Sequence, residues 1–559
     1  MIASNPSVCN NSSAKSAEKK PYPQASGAGA PQKLPDHKIE VVLRTEEHAV
    51  VNEAVAALAR HPAVYQCSGA LVRVAVDADE QFPDAERKPK NSPTVVRLSK
   101  ADIRRLLTEV ATVRKWQHTR GGELMLVDAH PTDWLTEQIR DLRQYPGVRH
   151  LQAISPYPVL LPSGEIATTS GYHADVGLYI TPTAGASVAV PVTPTGDEVR
   201  AAAATLLDLV ADFPFQSPAD RSAWLAALLT PLAWHAYCGN TPMAFVDGNA
   251  NAVGKTKLMD LISIILCGAG FDPVALPETG EEMRKVLTTL SMHRVSMALF
   301  DNVKGRLDDG GLEAALTSPN WGDRALGGNT WYSGPMTTVF FGTGNNAQYS
   351  PDMGRRLLQI RLDSPDERPE RRQGFRHPDL EDYARRNRSH FLSAALTILR
   401  GWHVAGRPKQ DLPRWGSFEP WSAVVRQAVV FAGQPDPAAG RDDRPGAVVP
   451  EAAAMTRLLA LWDNFGTSNG VTTLQIINAL KVAQADPKSV PPWAVECQWA
   501  VEELCPRADS RQLGVKFRQY HRRNFGNLRL EQAGTDRTKT GLWVVKALGP
   551  APATTAALC

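Results

Sequence analysis

Met243–Gly248 is a short apolar run, and Gly254-Lys255-Thr256 follows it after a loop of small residues. An apolar helical run, Leu258–Leu266, comes next. Strand, small-residue loop, lysine, hydroxyl and helix in that order form a P-loop layout that suits phosphate. Loop N–H groups point inward at anionic oxygens, and the helix N-terminus adds a favourable dipole. Lys255 reaches the outer phosphate oxygens, and the Thr256 hydroxyl is placed to ligate Mg²⁺. The usual first glycine lies five residues before the second; Asn249 stands at that position, and Gly248 falls one residue early. Asn tolerates left-handed backbone, so the turn is expected to form there. Gly248, Asn249, Gly254, Lys255 and Thr256 make up the expected nucleotide cradle.

Three later stretches extend this chemistry. Arg294–Phe300 is an apolar strand that runs into Asp301-Asn302, where a nucleotide-binding sheet places its Mg²⁺-holding carboxylate. Met336–Thr343 is a β-branched and aromatic strand that ends in Gly-Asn345-Asn346, and an Asn there is suited to hold the attacking water. Arg355-Arg356 follows, and an arginine offered to a neighbour's terminal phosphate stabilises transition-state charge. From Lys255 to Asp301 is 46 residues and from Asp301 to Asn345 is 44, room for one helix and one strand each.

Taken together, Gly-Lys-Thr, Leu-Phe-Asp-Asn, Phe-Gly-Thr-Gly-Asn-Asn and Arg-Arg resemble superfamily 3 helicases of the AAA+ class. The likeness is greatest to the poxvirus-type helicases carried by phages, plasmids and integrated elements. It spans roughly residues 38–548 and is densest over 240–363. The resemblance implies an ATP-dependent DNA helicase or replication ATPase of a mobile element, working as a homo-hexameric ring with ATP and Mg²⁺ between subunits. It makes Lys255 and Thr256 the Walker A pair and Asp301 the Walker B aspartate, with Thr256 and Asp301 on the metal. Asn345 becomes the sensor, and Arg355 or Arg356 the finger acting in trans. The interval Trp321–Trp331 would carry a hairpin that tracks single-stranded DNA, with Arg324 and Trp331 touching phosphate and base. Many relatives have a second carboxylate where this chain has Asn302, which orients water but takes no proton. Nothing in the first 240 residues supplies the paired acidic ligands of a primase, so a primase or replication initiator would be a separate partner. Two other readings remain: an AAA+ remodeller or loader that does not unwind, and an origin-binding regulator with a degenerate nucleotide site.

Cys505–Leu548 carries ten basic residues against three acidic ones, whereas the whole chain is only +3. The spacing predicts a helix over Ser510–Arg523 with Arg511, Lys516, Arg518 and Arg522 turned largely outward. A hairpin, Leu528–Gln532 with Leu542–Val545, follows. Helices followed by a basic hairpin outline a winged helix. Arg511, Lys516, Arg518, Arg522, Arg523, Arg537 and Lys539 are its expected contacts to duplex DNA.

These residues need elements to position them. Residues 1–37 read as a disordered tail. Residues 38–183 read as an α+β domain with a strand at Ile39–Leu43, a helix over Glu46–Arg60, a hairpin turning at Ser68-Gly69 and a Ser99-capped helix to Val113. A linker and helical region fills 184–240, and 241–403 is the P-loop ATPase core, with 364–403 as a helical lid. A loosely packed connection covers 404–452, the winged helix 453–548 and a tail 549–559. The fold class expected is thus multi-domain α/β: an N-terminal α+β domain, a central AAA+-like P-loop ATPase and a C-terminal winged helix.

The chain of 559 residues is 43% hydrophobic and 21% charged, room for several cores. Its seven cysteines are scattered with no C-x-x-C pair, which argues against a zinc ribbon or a disulfide framework and for small buried residues in a reducing compartment. No apolar run is long enough to span a membrane, and the expected location is cytoplasmic.

Overall fold

The computed structural model describes residues 34, 36–75, 93–181, 187–304, 306–324, 331–366, 368–440, 450–465, 469–485, 489–505, 507, 509–525, 527–537 and 539–548. Both expected tails, apart from a few residues before 38, and the tip of the 321–331 hairpin lie outside them.

The N-terminal region is two small sheets packed with helices. Strands β1 (Ile39–Leu43), β5 (Ala111–His118) and β6 (Leu124–Asp128) form one sheet; β2 (Tyr65–Cys67), β3 (Ala70–Ala75) and β4 (Thr94–Arg97) form the other. Helices α1 (Glu47–Ala59), α2 (Lys100–Val110) and α3 (Asp133–Asp141) cover the first and share its core. Ser99 caps α2, and its hydroxyl and the Asp102 carboxylate bond each other's backbone N–H. The Ser99 helix stops at Val110, not Val113: Ala111–Val113 pair in parallel register with Ile39–Val41, and that ladder overrides the continuing apolar period.

Five short strands follow: β7 (Ala153–Ser155), β8 (Val159–Leu160), β9 (Ile166–Ala167), β10 (Gly171–His173) and β11 (Leu178–Ile180). Then come α4 (Gly196–Leu209) and α5 (Pro218–Tyr237), whose residues Trp224–Ala233 are all buried. The central sheet is parallel, in the order β13 (Met297–Val303), β17 (Val339–Asn345), β12 (Met243–Gly248), β19 (Leu357–Leu362). Its strands are near-continuous apolar runs because both faces are covered. On one face α6 (Lys255–Cys267) packs with α4, α5 and α11 (Arg388–Val404). On the other lie α7 (Gly280–His293), α8 (Gly310–Thr317) and a hairpin of β15 (Asn320–Arg324) and β16 (Trp331–Pro335). Short elements join these: β14 (Arg306–Leu307) with β18 (Gln348–Tyr349), α9 (Pro351–Gly354) and α10 (Leu380–Arg386).

Two expectations are corrected here. Within the stretch expected as a lid, 364–403, helix α11 is part of the core: its Phe391, Leu392, Leu396 and Leu399 are buried with α4, α5 and α6. Nor is 404–440 loose. Trp415, Phe418 and Trp421 meet edge to face at ring separations of 5.4 Å, and Trp421 Nε1 donates to Thr230 Oγ1 on α5 at 2.9 Å. The chain passes there through α12 (Glu419–Trp421), a π-helical turn at Ser422–Arg426 and α13 (Gln427–Phe431).

The C-terminal region has its own core of α14 (Pro450–Ala460), α15 (Thr473–Ala483), α16 (Pro492–Leu504) and α17 (Ser510–Gln519). Strands β20 (Asn524–Phe525), β21 (Leu528–Thr535) and β22 (Gly541–Ala547) complete it, and Val471 bridges to Trp543 on β22. The hairpin is longer than expected. Helix α17 ends at Gln519, so Arg522 and Arg523 lie beyond it, Arg522 with a left-handed φ of 62°.

Of the described cysteines, Cys67, Cys497 and Cys505 are buried and Cys267 is partly so. Cys238 departs from the expectation of burial: it is exposed, at the left-handed end of α5. Among the described residues no helix is long and apolar enough to cross a membrane.

Candidate active site and nucleic-acid surface

The carboxyl ends of β12, β13 and β17 lie side by side, which is where parallel sheets place their ligands. Gly248 ends β12, and the five residues 249–253 lead to Gly254, the N-cap of α6, at φ 91°. Only glycine fits this cap: the conformation is left-handed, and a Cβ would sit 2.9 Å from the Phe213 ring. Gly248 is small for another reason, since a Cβ there would meet Lys255 Cδ at 3.2 Å and Val253 Cγ2 at 2.9 Å. Asn249 does not take the left-handed turn expected of it. Ala252 does, at φ 58°, while the Asn249 side chain bonds both the N–H and the C=O of Ser364 at 3.0 and 2.8 Å.

Lys255 Nζ donates to Ala250 O at 3.1 Å and to Asn345 Oδ1 at 3.2 Å, so the loop lysine and the end of β17 already meet. Asn345 Nδ2 donates in turn to Asn251 Oδ1 at 2.7 Å. Burial pushes the Lys255 ammonium below its ordinary pKa, opposed by Asp247 and Asp301. An anion seated among these groups would offset that desolvation.

Thr256 Oγ1 donates to Asp301 Oδ1 at 2.9 Å. The same oxygen accepts from Thr343 Oγ1 at 2.5 Å, and Thr343 Oγ1 accepts the Asn302 N–H at 2.8 Å. Thr343, only 1% exposed, therefore fixes both residues at the end of β13. Sequence reading assigned it no role, because that role depends on the register between β13 and β17. The pairing shifts between Phe300 and Val303, and Asn302 sits in the bulge at φ 52°. Asn tolerates that conformation far better than a longer carboxylate residue would. A hydroxyl and a carboxylate oxygen in contact are hard donors that fit Mg²⁺. Among the described residues no cluster of three His, Cys, Asp or Glu forms another metal site.

The two candidate fingers differ. Arg356 has 21% of its side chain exposed, bonds the Asp352 carbonyl and lies 3.6 Å from Glu313. Arg355 has 73% exposed and is held only at its tip, by Asp352 on α9; its own carbonyl accepts from Trp415 Nε1 at 2.8 Å.

The hairpin β15–β16 pairs Arg324 directly with Trp331 beside its tip. Both are exposed, and Trp331, at 64%, lies over Gly322. The base is anchored: Trp321 Nε1 donates to Thr288 Oγ1 at 2.9 Å, and Arg284 binds both oxygens of Asp323 at 2.8 and 3.0 Å. Asp323 is thus matched with Arg284 on α7.

In the C-terminal region Arg511, Arg518, Arg522, Arg523, Arg537 and Lys539 are exposed, and Lys516 is half-buried beside Cys505. Arg511 and Arg518 are on α17, as is exposed Val515, whereas Arg522 lies beyond the end of that helix. Arg523 lies 3.9 Å from Asp352, the carboxylate that holds Arg355.

Fold and site define a multi-domain α/β protein whose parallel sheet presents a small-residue loop with a lysine, a hydroxyl–carboxylate pair and an asparagine at the carboxyl ends of its strands. The sequence matches no protein-family profile and no curated protein. Among solved structures the chain is similar to the apo C-terminal region of NrS-1, with a TM-score of 0.32 and 11% identity over 76% of this chain and 92% of that one. The structure of the SCCmec type IV Cch active helicase gives 0.27 and 12%, over 73% and 83%. The JCV helicase gives 0.21 and 16%, over 43% and 67%.

Proposed function

We propose that the chain is an ATP-dependent DNA helicase or replication ATPase that acts as a ring, with single-stranded DNA at the β15–β16 hairpin and duplex at a C-terminal winged helix. The observation that carries this is the meeting of three strand ends, with Lys255 on Asn345 and Thr256 on Asp301. Lys255 balances phosphate charge, Asn345 orients a water, and Thr256 with Asp301 holds Mg²⁺, which when bound draws charge off the phosphate oxygens. Arg355 is the finger for a neighbouring subunit, since its side chain extends outward while Arg356 is held against Asp352 and Glu313.

DNA-stimulated ATP hydrolysis by the wild-type chain, reduced at least about 100-fold by Lys255→Ala, is the expected result. Unwinding of a forked duplex separates a helicase from a loader or remodeller. Asn302 favours a second reading: a winged-helix regulator that binds nucleotide without hydrolysing it, because no carboxylate follows Asp301. Tight ATP binding with no turnover would select that reading.

A further inference from the structure

We infer that Asp247 and Arg361 are a positioning pair that aims the sensor Asn345, an inference that rests on the ATPase reading above. The two stand directly opposite on neighbouring parallel strands, Asp247 on β12 and Arg361 on β19. Arg361 Nη1 pairs with Asp247 Oδ2, and only 24% and 19% of their side chains are exposed. Neither group stops there. Arg361 Nη2 donates to Asn346 Oδ1 at 2.9 Å. Asp247 Oδ1 accepts the Gly248 N–H at 3.0 Å and the Ala347 N–H at 3.3 Å.

Asn346 and Ala347 form the turn that leaves β17 immediately after Asn345. That turn is left-handed at Asn346, φ 47°, a conformation Asn tolerates, and the Asn346 N–H reaches back to Gly248 O at 3.2 Å. The carboxylate therefore fixes the main chain of the turn, and the guanidinium fixes its side chain. Both attach to the strand end from which the phosphate loop departs.

A partly buried ion pair loses hydration, and an apolar pair would hold two sheet strands at least as well. What an apolar pair cannot do is satisfy the Ala347 N–H and the Asn346 amide at once. The opposite charges of Asp247 and Arg361 act on the Lys255 ammonium in opposite senses, whereas their hydrogen bonds run to the turn after Asn345, which is the route by which the pair acts. Displacement of a reacting group by about 1 Å costs on the order of 100-fold in rate. The chemistry of the pair thus serves the aim of Asn345 at the water rather than the affinity for nucleotide.

The test is steady-state ATP hydrolysis by the full chain with single-stranded DNA, run beside binding of a fluorescent ATP analogue. Arg361→Met is expected to lower kcat by about 10- to 100-fold while KM and analogue affinity stay within about threefold. Arg361→Lys keeps a cation on Asp247 and should recover a large part of kcat. Asp247→Asn, which preserves shape, should lose kcat as Arg361→Met does and stands in for it if that variant does not fold. Unchanged kcat in Arg361→Met or Asp247→Asn, with wild type active and Lys255→Ala inactive, overturns the inference alone. Parallel loss of analogue binding and kcat, or no rescue by lysine, also overturns it, because that is the pattern of a general structural defect. A wild-type chain that hydrolyses no ATP overturns the ATPase reading and this inference together.

Discussion

The phosphate loop and the C-terminal basic region both gather polar side chains, yet they use them in opposite ways. Around Lys255, each polar group serves a second one: Thr343 holds Asp301 and Asn302, and Asn345 links Lys255 to Asn251. Across 505–548 most of the cations stand outward on α17 and around the hairpin turn, and the carboxylate Glu531 gathers Arg529 and Lys546. A cross-linked site is aimed before its ligand arrives, and losing one member misplaces the others. An array of exposed cations acts by summed charge, loses one increment per residue and is screened by salt. The first suits chemistry on one atom; the second suits a long, uniform polyanion.

The largest expected effect separates two adjacent arginines. Arg355→Ala should cut ATP hydrolysis about 1,000-fold, the scale of an arginine finger acting in trans, and leave Tm unchanged. Arg356→Ala should mainly lower Tm, because it frees Glu313 and the Asp352 carbonyl inside the fold. The inverse pattern in hydrolysis and melting curves would assign the finger to Arg356 and end the contrast between them.

A smaller effect tests the cross-linking itself. Thr343→Val is close in shape but takes away the acceptor of the Asn302 N–H and the donor to Asp301. It should lower kcat about 10-fold and raise the Mg²⁺ concentration needed for half-maximal rate, while Thr343→Ser restores both. Hydrolysis profiles against Mg²⁺ that match wild type would show that Asp301 needs no partner, and the site would then be no more interlocked than the basic region.

This contrast also governs what was legible in the sequence. Gly254, Lys255 and Thr256 stand where an apolar strand gives way to an apolar helix, so order alone places them at the carboxyl end of the sheet. Asp301 and Asn345 are readable because each ends an apolar strand. Thr343, Asp247 and Arg361 were not assigned roles, since each depends on which strand lies beside which, and that is settled only by the order β13–β17–β12–β19. The same limit explains the larger misreadings. Trp415, Phe418 and Trp421 sit among prolines, glycines and charges that look loose, and only packing on α5 shows that they fill a core. Ala111–Val113 continue a helical period until β1 pairs with them.

An effect of similar size, on binding rather than turnover, is expected where the two regions meet. Arg522→Ala combined with Arg523→Ala should weaken duplex binding about 10-fold at low salt and reduce the slope of log affinity against log salt by about 2, one for each lost phosphate contact. Unchanged affinity and slope, measured by fluorescence anisotropy across a salt series, would remove both residues from the DNA surface. Arg523 also lies 3.9 Å from Asp352, and both side chains are nearly half exposed, so the pair is worth little to stability. The double variant should therefore keep its ATP hydrolysis without DNA within about twofold of wild type. If that basal rate moves by more, Arg523 is acting on the finger through the carboxylate that also holds Arg355. The two regions would then form one electrostatic unit, with the cost of moving Arg355 off Asp352 set partly by whether DNA has drawn Arg523 away.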